Sequence, residues 1–493
     1  MAFMNRIHQQ FKVVLCAVTF LFAMFFSVTA VAKGKQISLT LQEAVAFALK
    51  NNADVKSAYL QRILDKFNLK LAKENYRIQP SFSFNTITTK LPRAFADADD
   101  RAFGVTPGLT WNTPYSTQFS FSWSNTLNNG AYGNAESFTV TQPLLKGFGK
   151  TIAEAPLNDA LDAEIRAKMN LRQTLINTIT TVITDYHALQ QAQMSLRNVQ
   201  RTLKNNKIHL QQDQLRVKAG ELARTELSQD KYQVAQQQVQ IGSSKNLVKD
   251  AQLKLSDDLG LDHLVKLVLP TKMVVPSVQP NRKLSEKIIL ANNISYQQAI
   301  LGIKQAKRSL LLAKDNARWN LSLSATAGRQ DSSFVGGDET NPNINYRPSS
   351  HSVVTDNQIQ LSLSIPLGKE RLQNKQAIAQ ARITLKDDQI KLAQQRLSLV
   401  NQVDDQVQRI KEDLINIHLA EKALQLQKQT LEATKIKIAY GMTSNFEWFS
   451  QQNAYESAEQ TLMQNKMTYL NDLAQFDSLL GTTLNTWHVK VKY

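Results

Sequence analysis

The chain repeats itself, and the repeat constrains its fold more than any other feature. Asn51-Asn52 returns as Asn292-Asn293. Leu71-Ala72-Lys73-Glu74-Asn75 returns as Leu312-Ala313-Lys314-Asp315-Asn316, and Ser81-Phe82-Ser83-Phe84 as Ser322-Leu323-Ser324-Ala325. All three matches share one offset, 241. Further on, Pro143 in Gln-Pro-Leu-Leu matches Pro366 in Ile-Pro-Leu-Gly, and Gly220 and Gly260 match Gly441 and Gly481 at a constant offset of 221. Separated matches at a fixed offset mark a duplicated unit, so the two halves must fold alike. Pro270, Pro276 and Pro280 cluster at the boundary between them. The expected division is a leader over 1–32, repeat 1 over 33–260, a linker over 261–282, repeat 2 over 283–482 and a tail over 483–493.

Each half reads as helix, strands, long helix, turn, helix. In the first half the spacing predicts a helix over 39–78, strands over 80–145, a long helix over 151–217 and a helix over 223–259. In the second it predicts a helix over 284–318, strands over 320–367, a long helix over 370–438 and a helix over 446–480. Ile176, Ile179, Ile183, Tyr186, Leu189, Leu196, Val199 and Leu203 recur in steps of three, four or seven, an apolar stripe of coiled-coil type. A helix of 67–70 residues would be about 100 Å long. Glutamine occurs 47 times, which suits wetted faces of rods packed side by side, since it forms helix without carrying charge. Within the strand segments, Phe119, Phe121 and Trp123 alternate with serines, and Ile359, Leu361, Leu363 and Ile365 alternate with Gln358, Gln360, Ser362 and Ser364. One apolar and one small-polar face fits a strand between lipid and water, or an ordinary half-buried sheet. The expectation is four such strands per chain. Four cannot close a barrel, and open edges are not tolerated in lipid, so several chains must contribute.

The N-terminus reads as an export signal. Arg6 and Lys12 precede an apolar run over 13–28, followed by Ala30-Val31-Ala32, a small-residue cleavage pattern. Cleavage there leaves 461 residues. No other apolar run reaches 18 residues, so the expected mature chain has no membrane-spanning helix and would cross a membrane only as strands.

Composition removes most chemistry. The only cysteine, Cys16, lies in the leader, which excludes disulfides, thiolate metal sites and cysteine nucleophiles from the mature chain. The seven histidines form no HxxxH or HExxH pair, and no metal site is expected. The formal charge of +17 is scattered, without a basic block or a nucleic-acid-binding pattern, so no nucleic-acid partner is expected. There is no nucleophile elbow, no phosphate-binding loop and no dinucleotide fingerprint. Asp257-Asp258, Asp387-Asp388 and Asp404-Asp405 lie on helices, where adjacent side chains diverge by about 100°, and are read as solvated faces. His187, His209 and His418 are read as surface or packing residues. No catalytic residue and no cofactor is expected; the chain is not read as an enzyme.

The leader, the doubled helix–strand–helix unit and the missing active site together resemble the TolC-like outer-membrane factor family. Thr141-Gln142-Pro143-Leu144-Leu145-Lys146-Gly147-Phe148-Gly149 carries the likeness at the strand exit. The two turn-to-helix passages carry the rest: Gly220-Glu221-Leu222-Ala223-Arg224-Thr225-Glu226 and Gly441-Met442-Thr443-Ser444-Asn445-Phe446-Glu447. The resemblance implies a mainly α fold with β: long coiled-coil hairpins plus four amphipathic transmembrane strands per chain, in a homotrimer with a twelve-stranded barrel in outer-membrane lipid. It implies an exit duct for tripartite efflux or type I secretion. The implied partners are a periplasmic adaptor and an inner-membrane transporter of the resistance-nodulation-division, ABC or major facilitator type. It also implies a pore constriction at Thr225, Glu226 and Glu447, and adaptor-contact turns at Gly220, Glu221, Leu222, Gly441, Met442 and Thr443. The sequence departs from the family at the gate: Ile438 and Thr443 stand where a tyrosine and an arginine are expected, and Ser450 replaces the second acid. Glu226 and Glu447 also fit first-turn acids favoured by the helix dipole. Two other readings remain. A secreted coiled-coil toxin or adhesin lacks a reason for the duplication, and a periplasmic adaptor would need one hairpin rather than two.

Overall fold

The computed structural model describes residues 36–90, 99–128, 131–221, 223–263, 265–270, 273–335 and 349–491. The expected leader and Leu222 lie outside them. In chain order the elements are β1 (Gln36–Ser38), α1 (Leu41–Asn51), α2 (Ala53–Glu74), β2 (Gln79–Lys90), β3 (Asp99–Asn112), β4 (Gln118–Asn128), β5 (Ala131–Pro143), α3 (Lys150–Ala153), α4 (Ala155–Lys218) and α5 (Arg224–Leu259). They continue with β6 (Lys266–Val268), α6 (Arg282–Asn292), α7 (Ile294–Asn316), β7 (Asn320–Val335), β8 (Ser349–Ser364), α8 (Gly368–Ala439), α9 (Asn445–Leu480) and α10 (Thr483–Thr486). The chain forms two compact units. One holds residues up to Lys56 with Thr174–Arg282 and Asp404–Lys490; the other holds Ser57–Gln173, Lys283–Val403 and Val491–Tyr493.

The first unit is helical. Gln452 donates to Asn206, Thr202 to Glu456, Arg201 to Glu459 and Gln191 to Gln464, and His187 bonds Asn471. Partner numbers fall on α4 as they rise on α9, so the two helices run antiparallel along a ladder of polar rungs. Gln427 to Gln451 and Gln406 to the Asp472 carbonyl make a second ladder between α8 and α9. On the same helices Ile176, Ile179, Val182, Tyr186, Leu189, Val407 and Ile410 are buried apolar side chains. Each such burial contributes about 1.5–3 kcal/mol. The linker is tied to these helices. The buried Tyr469 hydroxyl donates to the Pro276 carbonyl at 2.6 Å and accepts from the Val278 N–H at 3.1 Å. β6 of the linker pairs in parallel with β1, an element that the sequence did not predict.

The second unit carries one antiparallel sheet in the order β2-β3-β4-β5-β7-β8. A single row crosses all six strands: Gln79, Thr110, Ser120, Thr139, Thr326 and Gln358. All six are polar, and the Thr139 and Thr326 hydroxyls lie 3.1 Å apart. One residue further along, the row Trp111, Phe119, Val140, Ala325 and Ile359 presents the opposite, apolar face. Beneath the sheet, Arg62 of α2 pairs both guanidinium nitrogens with the Glu164 carboxylate of α4, with only 3% and 11% of the two side chains exposed. The Gly147 N–H donates to Asp315 at 2.7 Å, and the Tyr76 hydroxyl to the Ala153 carbonyl at 2.5 Å.

Mixed helix and strand in two like halves is the expected class. Two details differ. Among the described residues the sheet has six strands, not four, because the first half contributes β2 to β5 to it. Pro107 and Gly108 look like punctuation in sequence yet sit inside β3: Phe82 opposes Pro107, and a Cβ at Gly108 would meet the Ser81 hydroxyl at 2.8 Å. The leading helix of each half is also broken, at Asn52 and Asn293. The Asn52 side chain accepts the N–H groups of Asp54 and Val55, and that of Asn293 accepts from Tyr296. A capping asparagine satisfies the free donors of a new helix start and so divides the helix.

Candidate functional site

The site is built at the two hairpin turns. α4 ends where the Gly220 N–H donates to the Val217 carbonyl and the Glu221 N–H to that of Arg216. α8 ends in the same way, Gly441 to Ile438 and Met442 to Lys437. Both glycines hold positive φ, 79° and 70°. This paired-bond closure needs a left-handed residue, which glycine adopts without a Cβ clash. Nothing lies within 4 Å of a Cβ built at either glycine, so the turns are bare on their outer side.

The expected residues divide. Gly220, Glu221, Gly441 and Met442 are exposed at the turns, and Thr443 is half-buried. Thr225 is exposed and Glu226 half-buried in the first turn of α5; Glu447 is exposed in the first turn of α9. Ser444 caps α9 by accepting the Glu447 N–H at 3.3 Å, and the Glu447 carboxylate accepts from Gln451 at 2.9 Å. Glu226 has no such setting, since Ala223 occupies its cap position and offers no side-chain acceptor.

One turn deeper lies a group that the sequence reading missed. Asp213 of α4 and Asp230 of α5 are buried side by side, and Asn445, the first residue of α9, reaches both. Its amide nitrogen donates to Asp213 at 2.5 Å and to Asp230 at 3.1 Å. His209 stands over them, its Nδ1 3.3 Å from Asp213 and 3.9 Å from Asp230, and its ring stacks on Trp448. Arg216 flanks Asp213 at 3.4 Å. His209 is therefore part of a cluster rather than an isolated surface residue. Burial pushes the Asp230 carboxyl up to about 7, helped by the charge and hydrogen bond of Asp213 and by Glu226, and opposed by Asn445. Burial holds the His209 pKa down, against the attraction of Asp213. A like charge this close disfavours ionisation of Asp230 and adds to the effect of burial. Ligand atoms of His209, Asp213 and Asp230 lie within 4.8 Å of one another, a spacing a metal ion could use. The Asn445 N–H already donates into that space, and the arrangement serves as a clamp holding α9 to the α4–α5 hairpin. Its one signal in sequence is the i, i+4 spacing of His209 and Asp213; the partners come from sequence-distant helices.

Two other acid pairs belong to the same helices. Asp258 is raised to about 7 by burial and by Asp185, and Asp413 to about 6 by burial and by Asp472. Asp404, read as solvated, pairs with Arg282.

Residues 287–482 match the family described as outer membrane efflux protein. The match falls on the second of the two repeats. The resemblance seen in the sequence thus stands. Solved channels share the fold across nearly all of both chains. CusC superposes with a TM-score of 0.66 at 16% identity, covering 92% of this chain and 95% of that one. The Campylobacter jejuni CmeC outer membrane channel gives 0.65 at 13%, covering 92% and 91%. The Neisseria gonorrhoeae MtrE outer membrane channel in its open state gives 0.64 at 14%, covering 93% and 96%. No curated protein matches the sequence. The turns and the clamp lie within the helical unit; Gly441 and Asn445 fall inside the matched residues, and Gly220, His209, Asp213 and Asp230 fall before them.

Proposed function

We propose that the protein is an exit duct of the outer membrane of a Gram-negative bacterium, working as a homotrimer in a tripartite efflux pump or a type I secretion system. The observation that carries this reading is the match of residues 287–482 to the outer membrane efflux protein family. The sheet supports it: an apolar face opposite a continuous polar row suits a wall between lipid and water. The leader over 1–32 directs export, and the two repeats on either side of the 261–282 linker each supply a helical hairpin and part of the wall. Gly220, Glu221 and Leu222, with Gly441, Met442 and Thr443, meet the periplasmic adaptor, which links the duct to an inner-membrane transporter of the resistance-nodulation-division, ABC or major facilitator type. Thr225, Glu226 and Glu447 line the constriction, six carboxylates in a trimer, and favour cations.

Crosslinking in intact cells followed by pull-down should recover the adaptor and transporter with the protein in the outer-membrane fraction. Gly220→Trp with Gly441→Trp should abolish resistance or secretion while leaving membrane assembly intact. Recovery of the protein in the culture medium, or full export by the double variant, would contradict the reading. In planar bilayers Glu226→Gln with Glu447→Gln should lose cation selectivity; unchanged selectivity would remove these residues from the constriction.

A further inference from the structure

The sheet has two ends. β2 and β8 each have a sheet neighbour on one side only among the described residues. In lipid a strand edge left open is untenable, because each unpaired backbone group costs several kcal/mol, so both edges must be covered. We propose that β2 of one chain pairs with β8 of the next, so that three copies close a barrel of eighteen strands. The count rests on the trimeric duct proposed above; the seam rests on the sheet itself. Strand direction allows it. Direction alternates from β2 to β8 through antiparallel pairs, so β2 and β8 run oppositely and meet as another antiparallel pair.

Register narrows the seam. The polar row that starts at Gln79, the first residue of β2, reaches β8 at Gln358, six residues before its end at Ser364. Closing a barrel staggers the strands, and the stagger sets their tilt, about 35–45° in outer-membrane barrels. Facing residues must share a face, so only even shifts are allowed. Six strands at about 4.8 Å span about 29 Å, and a shift of six residues at about 3.4 Å gives about 35°. A shift of eight gives about 43°, four about 25° and ten about 50°. Only six and eight fall in the range. Six places Gln79 beside Ser364 of the neighbouring copy, with strand ends flush. A shift in the opposite sense would carry β2 past the start of β8 and leave most of it unpaired.

The side chains agree with either register. Phe82 and Phe84 on β2 are 71% and 56% exposed, and Ile359, Leu361 and Leu363 on β8 are 81%, 65% and 54% exposed. A shift of six sets Phe82 against Leu361 and Phe84 against Ile359; eight sets them against Leu363 and Leu361. Ser83 then faces Gln360 or Ser362 on the polar side. At these tilts eighteen strands enclose a backbone diameter of about 34–38 Å, against about 25 Å for twelve. The occupant of each edge is a second copy of this chain, and the result is a wider outlet than four strands per chain would give.

The test is intermolecular disulfide formation in the full-length protein in outer membranes. Ser83→Cys is combined with Gln360→Cys in one variant and with Ser362→Cys in another, each with single-cysteine controls. A third variant, Ser122→Cys with Gln360→Cys, joins chains only if β4 rather than β2 meets β8. Oxidation should give covalent dimers and trimers in one of the first two variants and in neither single-cysteine control, with a native mass of three chains. A three-chain mass with no β2–β8 product in either register, or with β4–β8 product, overturns the eighteen-strand barrel and leaves the trimeric duct standing. Any other native mass removes the trimer, and the strand count with it.

Discussion

Gly220 and Gly441 end their helices with the same two backbone hydrogen bonds, and Asn52 and Asn293 begin theirs with the same side-chain acceptance. Between those fixed points the halves part. The first supplies four strands to the sheet and the second two. The first also carries charge where the second does not. At the repeat offsets, Arg62 and Glu164 correspond to Ile303 and Leu385, and His209, Asp213 and Asp230 correspond to Thr430, Thr434 and Gln451. In the second half Thr434 only returns its hydroxyl to its own helix, and Gln451 bonds Gln427. A duplicated frame fixes helix ends and turns, while what fills the space between them is free to diverge, provided every buried polar group keeps a partner.

The largest effect expected from breaking this asymmetry lies at the ion pair. Removing one partner of a buried pair strands the other charge. Arg62→Ala should cost about 3 kcal/mol, the lower end for such losses, because Lys168 still stands 3.5 Å from Glu164. Arg62→Ile with Glu164→Leu installs the side chains of the second half and should recover most of the loss, since an apolar pair needs no desolvation. Denaturant unfolding in detergent measures both. A double variant as unstable as the single one would mean that the first half is shaped around the charges.

Next comes the clamp, whose stability should depend on pH. An acid whose pKa is raised on folding binds its proton more tightly in the native state than in the unfolded chain. Asp230 therefore contributes stability below its unfolded value near 4, and loses it as pH rises toward about 7. Asp213, Glu226, His209 and Asn445 face it, with Arg216 beside Asp213. Asp230→Gln, the residue at the matching position of the second half, should flatten this slope and stabilise the hairpin junction on the order of 1–2 kcal/mol at pH 8 relative to pH 5. Hydrogen exchange at α9 reads it directly. An unchanged pH slope would mean that Asp230 does not carry the transition.

The turns should respond equally in both halves. Gly220→Ala and Gly441→Ala each place a Cβ at positive φ and should cost about 1 kcal/mol apiece. A marked difference between them would show that one turn is strained by its surroundings.

What the sequence made legible follows from the same contrast. Helix ends were readable because glycine at 220, 260, 441 and 481 does one local job at each site, and because the repeat reports every signal twice. The strand count was not. Phe103, Val105, Leu109 and Trp111 do alternate, but Pro107 and Gly108 interrupt them, and no second copy exists in the other half for comparison. The close approach of the Ser81 hydroxyl and the Phe121 carbonyl explains Gly108, and both are contacts between strands. The clamp was hidden for a related reason. Asp213 and Asp230 look like ordinary helix-surface acids until α9 is laid across them, and Asn445 lies more than two hundred residues away. Local chemistry is legible in one sequence; polar burial between distant helices is not.

The smallest effect concerns the caps, and it separates two roles for the same acids. Both α5 and α9 carry glutamate at the third helical position, Glu226 and Glu447, but only α9 has a side-chain cap. Ala223 has the extended backbone a cap requires, with φ −69° and ψ 144°, close to the −85° and 160° of Ser444. Ala223→Ser should therefore let the new hydroxyl accept the Glu226 N–H, stabilising α5 by about 0.5–1 kcal/mol, and Ser444→Ala should cost α9 about as much. Reciprocal shifts in thermal unfolding would make the two helix starts equivalent apart from one hydroxyl. Neither change alters the charge of the carboxylates, so bilayer selectivity should stay at its wild-type value in both. If capping alone changes selectivity, then Glu226 and Glu447 act by positioning the helix start and not as pore charges. If selectivity follows only Glu→Gln replacement, the charge itself is what the constriction uses.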